Sequence, residues 1–215
     1  MNTLIISGGN INSDFALDFM EKQNPDYIIA ADRGLLFAWE HKICPDYIVG
    51  DFDSVPADVI AEYRKRNSVP IREYNPVKDA TDTQIALERA ISHGSGQIWL
   101  LGATGTRLDH TLGNIYSLKP ALEAGIPAYI LDAHNRISLV NSAIRLKREE
   151  QYGTYVSFLP MGEAVEGLTL EGFKYPLKDH TLKNDSGLGV SNEITADEAS
   201  VSMKKGILIM IQSCD

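Results

Sequence analysis

Two cysteines, Cys44 and Cys214, are all the thiols in 215 residues. Two cysteines so far apart exclude a disulfide framework, and a reducing, cytoplasmic setting is expected. The five histidines fall at no zinc-binding spacing. Basic residues are outnumbered, 20 Lys and Arg against 29 Asp and Glu, for a net charge of −9. Wrapping a nucleic-acid backbone needs clustered Lys and Arg, so no nucleic-acid partner is expected. A small anionic substrate stays allowed, because a bound metal inverts the local charge. No apolar run approaches the ~20 residues of a membrane span, so no membrane partner is expected. The opening MNTLIISGG has no basic stretch before its short apolar run, so no signal peptide is expected. An apolar fraction of 44% with 23% charged residues is globular rather than disordered.

What the chain does have is aspartate at the ends of apolar runs. YIIAA (27–31) leads into Asp32-Arg33-Gly34, and YIVG (47–50) into Asp51-Phe52-Asp53-Ser54. Lys78-Asp79-Ala80-Thr81-Asp82 opens a helical pattern. QIWLL (97–101) leads into Gly102-Ala103-Thr104-Gly105-Thr106-Arg107-Leu108-Asp109-His110. An open α/β sheet binds ligands outside the carboxyl ends of its strands. If these runs are parallel strands, Asp32, Asp51, Asp53, Asp79, Asp82 and Asp109 converge on one edge. Two unit charges ~4 Å apart repel by about 4 kcal/mol at an effective dielectric of 20. A cation relieves that repulsion, so a Mg²⁺-polyphosphate site is the first hypothesis.

Periodicity divides the chain. Residues 1–134 alternate strand and helix patterns, as a parallel sheet with crossover helices requires. Strands are expected at 3–7, 27–31, 47–50, 71–74, 97–101 and 128–132. Helices are expected at 13–22 with Ser13 as cap, at 35–41, at 57–66 behind Pro56, at 81–93, and at 110–124 with a break at Pro120. Pro25-Asp26-Tyr27-Ile28 recurs as Pro45-Asp46-Tyr47-Ile48, so two strands are entered the same way. Residues 135–215 change character. Short strand-like runs at 137–140, 144–146, 154–159, 165–170, 188–194, 199–203 and 207–211 are punctuated by glycine, which suggests a β-sandwich or barrel.

Each motif has a structural reading beside the chemical one. Asp51 and Asp53, two apart in an extended segment, share a face and can ligate one cation. Asp53 or Ser54 can equally cap the next helix. Thr81 or Asp79 can cap a helix whose N-terminus also suits phosphate, with Lys78 beside it. The glycines at 102 and 105 allow close approach of a ligand, yet the segment matches neither G-x-G-x-x-G nor G-x-x-x-x-G-K-[ST]. Arg107 can grip a phosphate or pair with Asp109. His110 reads as a helix-start residue. Gly187-Leu188-Gly189-Val190-Ser191-Asn192-Glu193 reads as a glycine-rich turn into a strand, or as a pocket wall.

Five of these segments, in order from residue 31 to residue 193, resemble bacterial thiamine pyrophosphokinases: Ala31–Gly34, Gly50–Ser54, Lys78–Asp82, Gly102–His110 and Val190–Glu193. The resemblance implies a Rossmann-like three-layer α/β domain (1–134) that binds ATP and Mg²⁺. A thiamine-binding β-sandwich (135–215) follows it. It implies transfer of diphosphate from ATP to the thiamine hydroxyl, with AMP released. It implies a homodimer whose sites are shared between subunits. By resemblance, Asp51, Asp53, Asp79 and Asp82 hold the metal and, with Arg107, carry catalysis. Asp32, Arg33, Lys78, Thr81, Arg107, Asp109 and His110 contact ATP, and Asp82, Ser191 and Asn192 contact thiamine. Animal members place a tryptophan of the β domain against thiamine, and this chain has none after Trp99. Phe173 or Tyr175 is the substitute. A pyrophosphokinase for another hydroxymethyl heterocycle, such as a pterin, and a non-catalytic nucleotide sensor are the competing readings.

Overall fold

In the computed structural model, residues 1–66, 69–74 and 79–215 are described. The chain divides into two compact units, Met1–Ala133 and His134–Asp215.

The first unit is built on six parallel strands in the order β4-β3-β2-β1-β5-β6. These are β1 (Asn2–Ile6), β2 (Tyr27–Ala31), β3 (Tyr47–Gly50), β4 (Ile71–Glu73), β5 (Gln97–Leu101) and β6 (Ala128–Leu131). Leu4, Ile5, Ile6, Ile98 and Leu100 are fully buried, as central parallel strands covered on both faces must be. The connecting helices are α1 (Ser13–Gln23), α2 (Gly34–Glu40), α3 (Ala57–Arg66), α4 (Asp82–Ser92), α5 (Leu108–Ser117) and α6 (Lys119–Glu123). The recurrent Pro-Asp pairs have one structural purpose. Asp26 accepts the Asn2 N–H at 2.7 Å, and Asp46 accepts the Ile28 N–H at 2.8 Å. Each carboxylate therefore staples its own strand to the start of the neighbouring one.

Local chemistry sets the helix ends. Asn12, not Ser13, caps α1, because its Oδ1 accepts the Phe15 N–H at 3.0 Å. Ser13 Oγ instead lies 3.2 Å from His41 Nε2. Thr81 caps α4 by accepting the Gln84 N–H at 3.2 Å. Gly94, at φ +85°, follows the end of α4 in the left-handed region that stops a helix. The expected break near Pro120 falls at Leu118, with proline in the first turn of α6 where its missing N–H costs nothing.

The second unit is all strand apart from a 3-10 turn at Arg148–Glu150. Strand β13 (Leu208–Ser213) pairs antiparallel with β7 (Asn135–Val140) and with β9 (Tyr155–Pro160). A second sheet runs β11-β10-β12-β8, made of β11 (Leu177–Lys183), β10 (Ala164–Glu171), β12 (Glu198–Ser202) and β8 (Ile144–Lys147). Phe158 and Met210 of the first sheet share one core with Leu168, Leu182 and Val201 of the second. Two readings of this half are corrected. The mostly polar run 177–183 is a strand that the apolar pattern missed. Residues 188–194 are a turn with isolated bridges Val156↔Asn192 and Phe173↔Ile194, bonded to β9 at single points through Gly189 O, the Ser191 N–H and Asn192 rather than by a continuous ladder.

Among the described residues, no helix is long and apolar enough to cross a membrane. Phe158 is 0% exposed and meets Phe173 edge-to-face at 5.6 Å. Phe158→Ala should cost about 3–5 kcal/mol in urea unfolding. A cost below about 1 kcal/mol would mean that this core collapses around the loss.

Candidate functional site

The carboxyl ends of β1, β2, β3 and β5 open into a cleft of about 600 Å³ within the first unit. Its walls include Gly8–Asn10, Asp32, Arg33, Asp51, Asp79–Gln84, Gly102–Arg107, His110, Thr111 and Asn114.

The acidic corner is built by the backbone. Asp32 follows β2 at φ 48°, and Phe52 follows β3 at φ 60°. Left-handed geometry in non-glycine residues is strain that surrounding structure must hold. The Asp32 N–H is bound by Val49 O at 2.8 Å, and the Asp32 carbonyl accepts the Leu35 N–H at 2.9 Å. Gly50 permits the crossing, since a Cβ there would lie 3.0 Å from Asp32 Cα. These turns bring one carboxylate oxygen each of Asp32, Asp51 and Asp53 within 4.8 Å of one another. Ser54 Oγ lies 2.9 Å from both Asp32 carboxylate oxygens and donates to them, and the Asp53 N–H donates to Asp51 Oδ1 at 3.3 Å. Ser54 is therefore spent on Asp32 rather than on capping α3. Burial pushes the Asp32 carboxyl up, and Asp82 and Asp51 add to the rise, against the Ser54 hydroxyl and the Arg33 N–H. Three hard oxygen donors with waters completing the shell suit Mg²⁺.

Asp79 and Asp82 stand on the cleft wall at the start of α4, outside the three-acid group. Thr81 is occupied by its capping bond. Lys78 lies outside the described residues. Arg107 ends the glycine loop and donates to both oxygens of Asp109, at 3.2 and 2.5 Å. That guanidinium holds the Asp109 carboxyl down to about 2. His110 is exposed in the first turn of α5.

The glycines here serve backbone against backbone. A Cβ on Gly9 would lie 2.3 Å from Thr104 O, and one on Gly102 would lie 2.3 Å from Ser7 O. The β1 and β5 exits are laced together by Gly9 N–H to Gly102 O at 2.7 Å and Asn10 N–H to Thr104 O at 2.9 Å. Buried Asn114 donates to Ala103 O at 2.8 Å, and Thr104 Oγ1 donates to Asp132 at 2.8 Å. Sequence reasoning missed Ser54, Asn114 and Asp132 as supports. Asn114, one helical turn after His110, carried the readable signal: a polar residue on a buried helix face.

In the second unit, Ser191 is exposed at φ 56° and gives its N–H to Ser157 Oγ at 3.0 Å. Asn192 is 3% exposed, with its side chain bound to the Tyr175 backbone. Phe173 is 5% exposed and belongs to the core, so it cannot face a ligand. Tyr175, 56% exposed, can.

A model of the thiamin pyrophosphokinase catalytic domain matches residues 20–130, and one of that family's vitamin B1 binding domain matches residues 141–208. This chain belongs to the thiamin pyrophosphokinase family. It is 34% identical over 187 residues to the thiamine pyrophosphokinase of Bacillus subtilis, with 87% of each chain covered. The crystal structure of thiamine pyrophosphokinase from Bacillus subtilis superimposes with a TM-score of 0.88 at 31% identity, over 100% of both chains. That of thiamin pyrophosphokinase from Geobacillus thermodenitrificans gives 0.85 at 32%, over 100% of this chain and 98% of that one. Yeast thiamin pyrophosphokinase, at 19% identity and 0.82, shares the fold. The catalytic-domain match of this family member contains all of the acidic corner, and the B1-binding match contains Tyr175, Ser191 and Asn192.

The two carboxyls are shifted in opposite directions from the ordinary carboxylate range. Asp109, depressed from 3.8 to about 2, gives stability that is present above 3.8 and lost as pH falls toward about 2. Asp32 is raised from 3.8, so its contribution is present below 3.8 and lost as pH rises through its folded value. Carboxyl-resolved NMR should show Asp109 titrating well below Asp32. Arg107→Ala should return Asp109 toward 3.8, and an unmoved Asp109 would assign the depression to something else.

Proposed function

We propose that this chain transfers the β,γ-diphosphate of ATP to the hydroxyl of thiamine, giving thiamine diphosphate and AMP. One observation carries the reading: the Asp32, Asp51 and Asp53 carboxylates stand within 4.8 Å of one another at the strand ends. On this reading the first unit is a Rossmann-like three-layer domain that takes MgATP, and the second is a β-sandwich that takes thiamine.

Asp32, Asp51 and Asp53 would hold Mg²⁺, with Asp79 and Asp82 facing it across the cleft. The ion supplies charge neutralisation on the phosphates, which with positioning is most of phosphoryl transfer. The N-terminus of α4 offers N–H groups to a phosphate oxygen. Arg107 can exchange its exposed Asp109 partner for the transferred group, since a surface ion pair is worth little. Arg33 and His110 line the same cleft, next to where a nucleotide would lie. A carboxylate of the acid group accepts the thiamine hydroxyl proton as oxygen attacks the β-phosphorus and AMP leaves. Ser191 and the Tyr175 ring are the groups of the second unit that are free to meet thiamine.

A homodimer sharing its sites fits this division of labour. Nucleotide candidates and thiamine candidates lie in different units, and both units expose apolar side chains. Leu108, Leu112 and Tyr116 form a stripe on α5, exposed by 72%, 53% and 50%. Leu188 and Val190 are exposed by 51% and 49%. We assign these two sets to the contact between subunits.

Product analysis with thiamine and MgATP should give equimolar AMP and thiamine diphosphate. ADP with thiamine monophosphate would make the protein an ordinary kinase. No thiamine product would favour the pterin or the sensor reading. Asp53→Asn should lower turnover by ~10²-fold or more at saturating MgATP with the fold intact.

With thiamine well below saturation, mixing Asp53→Asn with Tyr175→Ala chains should give more activity than the average of the two parents, because some hybrid dimers carry one intact site. No recovery despite demonstrated subunit exchange would remove the shared site.

A further inference from the structure

Asn192 carries an unusual load for a residue next to a candidate ligand surface. It is 3% exposed. Its Oδ1 accepts the N–H of Tyr175 at 3.0 Å and the N–H of Glu193 at 3.0 Å. Its Nδ2 donates to the Tyr175 carbonyl at 2.8 Å. One amide thus takes both main-chain polar groups of Tyr175, as a paired strand would. Its own backbone is anchored as well, through Val156 N–H to Asn192 O at 2.8 Å and Asn192 N–H to Val156 O at 3.1 Å.

The clamped residue has little other freedom. Pro176 follows it and restricts Tyr175 to extended geometry. On the other side, the Lys174 N–H donates to Glu193 O at 2.9 Å, and Lys174 Nζ pairs with Glu193 at 2.6 Å. The ring, by contrast, is 56% exposed, with Lys174 Nζ 5.6 Å from its centroid on one face. An exposed aromatic side chain on a fully bonded backbone is partly preorganised for stacking, since the backbone entropy is met before any ligand arrives and only the side-chain torsions remain to be ordered.

We infer that Asn192 acts on the ligand through Tyr175: it is a positioning residue that fixes the ring, not a thiamine contact of its own. This rests on the thiamine reading above and assigns the stacking surface and its support within it. Ser191, one residue earlier and exposed, remains the polar contact. The Asn192 oxygen is doubly occupied and one N–H is given to Tyr175, so only one amide N–H is left, on a side chain that is 3% exposed.

The test is a double-mutant cycle on the full chain, with thiamine affinity read by titration calorimetry. Tyr175→Ala should weaken binding about tenfold, the scale of one aromatic stacking contact. Asn192→Ala should weaken it by a similar factor, while affinity for MgATP stays unchanged. The double variant should bind no worse than Tyr175→Ala alone, because Asn192 has nothing left to position. A double variant about 100-fold weaker than the wild type would make Asn192 an independent contact and overturn the proposal. So would a Tyr175→Ala chain of unchanged affinity. Amide exchange supplies the control on folding. The Tyr175 N–H should be protected in the wild type and lose protection in Asn192→Ala and in the milder Asn192→Ser, with the rest of the second unit unmoved. Loss of protection throughout that unit in both variants would make Asn192 a residue of the fold, again overturning the proposal. A folded wild type that shows no thiamine heat would fail the thiamine reading instead, and Tyr175 exchange would still report the clamp.

Discussion

Three carboxylates held within 4.8 Å by backbone geometry are the constraint on which the first unit depends. At that spacing each ionised pair repels by about 3–4 kcal/mol at an effective dielectric of 20. The surroundings show how the fold resists it. Residues 32 and 52 sit at positive φ without being glycine, while Gly50 and Ser54 close around Asp32. Loosening any of these would let the acids drift apart and relieve the repulsion. If the site takes a divalent cation, as proposed, the strained turns hold the three carboxylates together before the cation arrives.

The opposite end of the cleft is governed by packing rather than charge. Gly9 and Gly102 let two strand exits touch main chain to main chain, and Asn114 and Asp132 tie the outer loop down from below. Arg107 then projects from a fixed platform. Its partner Asp109 is exposed, so the pair adds little to stability and the guanidinium is available for exchange. A rigid frame with an exchangeable cation at its edge suits a reaction in which negative charge shifts along a phosphate chain.

The first unit was legible because its signals are periodic and local. Apolar runs of four or five residues, each ended by aspartate or glycine, gave five of the six strands of the parallel sheet within a residue or two, and the edge strand β4 was the exception. Helix starts were less so: Asn12 and Ser13 are equally good caps on paper, and only the placement of the Phe15 N–H decides between them. The second unit was harder for a physical reason. Strand β11, LKDHTLK, buries Leu182 fully but leaves Lys178, Asp179, Thr181 and Lys183 exposed, so its apolar pattern is too sparse to read. Residues 188–194 have strand-like composition, yet Gly189 packs against Phe158 O and Ser191 adopts positive φ, both of which require a turn.

The candidate site was legible by residue type and less so by role. Every aspartate named from the strand ends, apart from exposed Asp53 and Asp109, lines the cleft, but grouping them needs three dimensions. Asp32 comes from a different strand exit from Asp51 and Asp53, and no spacing rule links residues 32 and 51. Asn192 shows the same limit from the other side. A polar residue in a glycine-rich turn reads as a ligand contact, because sequence carries the chemistry of an amide and not the direction in which it points. Once both polar groups of the Tyr175 backbone are found on that amide, its oxygen and one of its two N–H groups are accounted for within the fold. If Asn192 positions Tyr175, the specificity of the second unit resides in what Asn192 presents rather than in what it touches.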